Sequence, residues 1–154
     1  MTGTVVGVTR DWTDWEAVHT LLTHAFAGME GRIDPPSSLL RMSARDLAAQ
    51  SELLTAVAAG RLVGCLIIED RGDMLYLGKL AVSLDARRRG IARLLVDHAE
   101  SIARERKVPA LLLQTRIELV ENHATFRAMG FVEVGRTAHP GYNSPTSITF
   151  RKLI

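Results

Sequence analysis

The chain has 154 residues, of which 47% are hydrophobic and 23% charged, proportions of an ordinary globular domain with one core. A formal net charge of +2 and a single cysteine, Cys65, exclude an internal disulfide framework or thiolate metal cluster and argue against a nucleic-acid partner. No run approaches the roughly 18–20 apolar residues of a membrane span. Met1-Thr2-Gly3-Thr4 has no basic region leading into an apolar core, so the expected location is cytoplasmic.

From the N-terminus, the valine-rich stretch Thr4 to Thr9 reads as a strand. Thr13-Asp14-Trp15-Glu16 reads as a capping box, and Trp15, Val18, Leu22, Ala25 and Phe26 follow on one helical face. A loop with Gly28, Gly31, Pro35 and Pro36 precedes a weaker helical stretch at Ser43 to Gln50. Strands are expected at Leu53 to Ala58 and Leu62 to Ile68. The turn Glu69 to Asp73 then makes a hairpin with Met74 to Val82. Gly78 lies inside that last strand, where glycine marks a bulge or a close approach.

From Gly90 the period becomes helical, with Ile91, Leu94, Leu95, Ala99 and Ile102 on one face and Pro109 ending the segment. Ala110 to Thr115 is a continuous apolar run suited to a buried parallel strand. A short helix at Asn122 to Met129 follows, with Gly130 at its C-terminal cap. Phe131 to Val134 and Ser147 to Leu153 complete the strands, joined by a loop containing His139 and Tyr142. The order implies one domain over residues 1–154. Its fold class is α/β, with a mixed, mostly antiparallel central sheet, helices on both faces and one βαβ crossover.

The most informative stretch is Arg87-Arg88-Arg89-Gly90-Ile91-Ala92, between an apolar strand and a helix. The first N–H groups of a helix have no internal acceptors, and that end carries partial positive charge. Three arginines there repel the helix dipole unless an anion sits among them. Gly90 and Ala92 leave room for a phosphate to approach the backbone. No Gly-Lys-Ser/Thr follows, so this is not a Walker loop, and Gly-x-Gly-x-x-Gly is missing too.

Leu80-Ala81-Val82, a four-residue gap, Arg87-x-x-Gly90-x-Ala92 and the amphipathic helix after it resemble the signature of the GNAT family of N-acetyltransferases. The stretch from Ala124 through Phe126 to Gly130-Phe131 is similar to the family's next motif. The resemblance implies that the turn Arg87, Arg88, Arg89, Gly90, Ile91, Ala92 binds the pyrophosphate of acetyl-coenzyme A (acetyl-CoA). Leu80, Ala81 and Val82 would pair with its pantetheine amides. It implies direct attack of an amine on the thioester, with the Ala81 backbone N–H stabilising the oxyanion. The co-substrate is acetyl-CoA, no metal is needed, and the acceptor is expected to be a small-molecule amine. A homodimer is common in the family.

Two positions depart from the family pattern. Phe126 stands where the family often has a tyrosine that protonates the leaving thiolate, and Leu119 stands where an asparagine is common. Tyr142, in the late loop, is the replacement acid expected here, and His139 beside it the expected base. Glu30 and Asp34 are the acidic residues expected near the acceptor. Cys65, inside Val63-Gly64-Cys65-Leu66-Ile67, reads as a buried inert thiol, and His98 as a core histidine. A peptide or protein acetyltransferase and a non-catalytic acyl-CoA sensor are the competing readings.

Overall fold

The apolar runs in the middle of the chain form the centre of a seven-stranded sheet in the computed structural model, which describes residues 5–49 and 52–154. In chain order the elements are β1 (Val6–Thr9), α1 (Trp15–Phe26), α2 (Ala44–Ala48), β2 (Glu52–Ala58), β3 (Arg61–Asp70), β4 (Leu75–Val82), α3 (Ile91–Glu105), β5 (Ala110–Arg116), α4 (Val120–Ala128), β6 (Val132–Thr137) and β7 (Ser147–Leu153). Thr4 and Gln50, the outer ends of two expected elements, lie outside the described residues. Strands lie in the order β1-β2-β3-β4-β5-β7-β6. Among the described residues only β4 and β5 run parallel, joined through α3, so the expected mixed sheet with one βαβ crossover is what forms.

Side chains alternate across the central strands and supply two cores. Leu66, Ile68, Leu75 and Leu77 pack against Ile91, Leu95, Ala99 and Ile102 of α3. On the other face Cys65, Ile67 and Ala81 meet Val18, Leu21 and Leu22 of α1 and Leu47 of α2. Because β3 is buried on both faces, its sequence is apolar almost throughout rather than alternating.

The helix caps differ from the sequence expectation at one position. Asp14, not Thr13, caps α1, its carboxylate accepting from the Ala17 N–H at 3.1 Å. The capping box occurs instead at α2, between Ser43 and Asp46. At the end of α4, Gly130 (φ +96°) donates to the Arg127 carbonyl and Phe131 to that of Phe126, both at 3.0 Å. This is the Schellman ending that glycine favours.

Candidate active site

The site arises where the sheet comes apart. β5 pairs with β4 only at Leu75, Tyr76 and Leu77, yet it continues beside β7 as far as Arg116. From Gly78 onward the two parallel strands diverge and leave a split. β4 also carries a bulge there, since Cys65 faces Ala81 while Ile67 faces Gly78. The bulge was expected at Gly78, but the residue with left-handed backbone is Lys79, at φ +46°. The extra residue bends the strand away from its neighbour.

At the far end of the split, α3 starts without any side-chain cap. Gly90 (φ +74°) and Arg88 (φ +65°) both have left-handed backbone, which folds the chain back before the helix. The helix's first internal bond within this turn is Leu94 N–H to the Gly90 carbonyl, at 2.9 Å. The amides of Ile91, Ala92 and Arg93 therefore precede any intrahelical acceptor. Arg88 and Arg89 are exposed beside them. The residues present thus fit a bound phosphate: free donors, positive helix end and two uncommitted guanidinium groups. Ile91 contributes only its backbone, as its side chain is buried in the core. Arg87 behaves differently from its neighbours. Its side chain turns back to the Val82 and Ala25 carbonyls, each at 3.3 Å, and so ties the turn to the end of α1.

Between these features lies a cleft of about 290 Å³. Phe26, Met29 and Ser37–Ser38 wall one side, Phe126 another, and Tyr76 to Leu80 line its strand side. Phe126 packs edge-on against Phe131, ring centres 6.0 Å apart, and presents no proton donor. Asn122, three residues from the family's asparagine position, does line the cleft, and its amide donates to Thr115 at 3.5 Å. Tyr76 also lines it; burial pushes its hydroxyl pKa up. Sequence reasoning passed over Tyr76 and Lys79 because nothing local distinguishes a strand residue at a split from one in a continuous sheet.

Of the two expected catalytic side chains, the structure brings only His139 to the cleft. Its ring Nδ1 contacts the Thr146 hydroxyl, which also accepts from the His139 backbone N–H at 2.9 Å. When that hydroxyl donates to the Thr137 carbonyl, at 3.4 Å, Nδ1 holds the ring proton and Nε2 remains an acceptor. Burial, then the nearby Arg116 charge, lowers the pKa of His139 from 6.5. Tyr142 lies outside the lining. Its hydroxyl donates to Asp34 Oδ1 at 2.5 Å, and that hydrogen bond raises its pKa. A proton held by a carboxylate is a poor one to give away, so the expectation for Tyr142 as acid is corrected.

Ala81 needs a second correction. The Ser83 N–H donates to the Val63 carbonyl at 2.8 Å, and Ala81 sits opposite Cys65 two residues earlier. Backbone groups alternate in direction along an antiparallel strand, so the Ala81 amide faces β3. The amide that faces the split is that of Val82. Asp34 and Glu30 also miss the lining: Asp34 receives Tyr142, and Glu30 accepts from the Ser37 N–H at 3.4 Å. Cys65 is fully buried, and burial pushes its thiol up to about 12, as befits an inert thiol. His98 is exposed rather than in the core, its ring bonded to the Leu94 carbonyl at 3.0 Å.

Comparison with known proteins accords with this geometry. No curated protein matches the chain. Its fold is similar to the ribosomal-protein-S18-alanine N-acetyltransferase of Escherichia coli, with TM-score 0.73 and 22% identity over 97% of this chain and 94% of that one. It is also similar to a GNAT-family acetyltransferase of Staphylococcus aureus Mu50, at TM-score 0.78 and 12% identity over 97% and 99%. A third similar structure is a GNAT-family acetyltransferase from Elizabethkingia anophelis with acetyl-CoA bound, at TM-score 0.71 and 15% identity over 97% and 98%. Residues 15–131 match the family described as Acetyltransferase (GNAT) family. With the split strands and the uncapped arginine–glycine turn at the head of α3, that match makes the chain a member of the GNAT acetyltransferases, a family of acyltransferase enzymes.

Proposed function

We propose that this protein transfers the acetyl group of acetyl-CoA to the primary amine of a small molecule. The observation that carries the reading is the continuity of three features: the β4–β5 split, the walled cleft within it, and the anion-ready start of α3 at its end. When bound, the coenzyme supplies the acetyl group as an activated thioester. The chain's part is to hold and orient. The amides of residues 91–93 with Arg88 and Arg89 take the pyrophosphate. Leu80 and the Val82 N–H present the edge of β4 that β5 leaves unpaired to the amide-bearing arm, as an added strand would use it. Phe26 and Phe126 exclude water from the reacting end, so positioning supplies much of the rate. A cleft of this size, closed on one side by residues 37–38, suits a small acceptor better than a folded protein's surface.

Thermal unfolding with added acetyl-CoA tests the reading. Ligand at a hundred times its dissociation constant stabilises the fold by about 2.7 kcal/mol, a rise of about 5–10 °C for a chain of this size. Thiol release with a panel of amines then tests transfer. No shift at saturating coenzyme overturns the proposal. A shift without release from any amine leaves acyl-CoA binding alone.

His139 is assigned the acceptor's proton. With a pKa held below 6.5, its ring is neutral at pH 7 and free to accept. His139→Gln is expected to lower kcat by about 100-fold while coenzyme affinity stays within about twofold. The wild-type kcat profile should fall on the acid side with an apparent pKa under 6.5, and the variant should lack that limb. An unchanged profile would remove His139 from the chemistry.

A further inference from the structure

The cleft is positive. None of the described residues lining it is an aspartate or glutamate, while Lys79 and Arg116 both line it. Arg116 donates to the Pro35 and Pro36 carbonyls, at 2.5 and 3.2 Å, which orients its guanidinium without neutralising it. Lys79 forms no hydrogen bond or ion pair with any described residue. Glu69, which lines an adjoining hollow together with Lys79, is engaged by Arg71 at 3.2 Å.

We propose that the acceptor is an amino acid or close analogue, whose amine is acetylated while Lys79 holds its carboxylate. This rests on the acetyl-transfer reading of the same cleft. Lysine at φ +46° is strained. The same residue is half-buried and unpaired, and burial lowers its ammonium pKa. Desolvation of an unpaired cation is unfavourable in the free protein, and an anionic ligand offsets it. The bulge that creates the strain also places Lys79 at the split. A plain ammonium acceptor meets two cations in the lining of this cleft and no carboxylate. A carboxylate on the same molecule reverses that balance, and the residual positive field helps the amine shed its proton. About 290 Å³, shared with the acyl arm, leaves room for a few heavy atoms, which suits an amino acid and not a larger polyanion.

The test compares L-amino acids with their α-carboxamides in the thiol-release assay, using wild type, Lys79→Met and Lys79→Arg. All three side chains are unbranched, so the bulge is conserved. Taking the ratio of kcat/KM, acid over amide, within each variant cancels the different basicity of the two amines. The ratio is expected to fall at least about tenfold in Lys79→Met and less than about threefold in Lys79→Arg. Retention of the ratio in Lys79→Met overturns the inference. So does the absence of turnover with every amino acid while coenzyme still raises the melting temperature. If coenzyme produces no rise, the reading beneath the inference fails instead.

Discussion

Reversing both exposed arginines, in an Arg88→Glu, Arg89→Glu variant, is expected to weaken acetyl-CoA binding by about 100-fold or more, with no loss of fold stability. Each charge-assisted contact to a phosphate contributes about 1.5–3 kcal/mol, and two of them correspond to at least a hundredfold in affinity. Neither side chain has a hydrogen bond or ion pair with a described residue, and both are exposed. Glutamate at the start of α3 complements the helix dipole that arginine opposes. The coenzyme-free variant should therefore melt at the wild-type temperature or slightly above it. Opposite effects on stability and affinity are the signature of charge placed for a ligand. Calorimetric titration and thermal melts read both, and an unchanged dissociation constant would dissociate this turn from the coenzyme. Arg87 behaves otherwise, because it joins the turn to the Ala25 carbonyl of α1. Its removal should loosen the turn as well as weaken binding.

The second large effect is expected at Gly64 of β3, far from Arg88 in sequence. A Cβ there would stand 2.9 Å from Ile91 Cγ2 and 3.3 Å from both the Ala81 carbonyl oxygen and Leu95 Cδ1. Ile91 and Leu95 are buried and have no room to yield. Gly64 thus allows the first turn of α3 to sit directly on the sheet, which fixes where the free amides point. Gly64→Val adds further methyl groups to the same contact and should cost about 3 kcal/mol by overpacking. By lifting the helix start, it should also weaken coenzyme binding about tenfold. Urea denaturation measures the first effect and titration of the folded fraction the second. Gly135→Ala is the control, as nothing lies within 4 Å of the added carbon, and its effect should stay within about 0.5 kcal/mol. A Gly64→Val protein as stable as that control would refute the close-approach argument.

Much of this architecture was legible before any coordinates, for a local reason. Helix period, strand alternation, the Gly130 ending and the conflict between three arginines and a helix dipole each depend on residues near one another in sequence. They therefore determined the element order, the mixed sheet and the candidate coenzyme turn. Departures from the expected pattern are small where a local competitor is involved, as when Asp14 takes the cap expected of Thr13. They are larger where direction in space matters. The strand Leu75 to Val82 reads as one apolar run, but only tertiary pairing shows that β5 leaves it after Leu77. The same pairing turns the Ala81 amide toward β3 and makes Lys79, not Gly78, the left-handed residue of the bulge.

The late loop makes the same point. His139 and Tyr142 are near neighbours with equal claims in sequence, yet one borders the cleft and the other is bound to Asp34, more than a hundred positions earlier. Such assignments rest on long-range contacts, which no local periodicity encodes. The elements and the anion-seeking turn follow from local sequence, because propensity, capping and helix dipoles act over a few residues. Which amide, which cation and which histidine face the cleft follows instead from packing between distant strands, which sets the direction of each group.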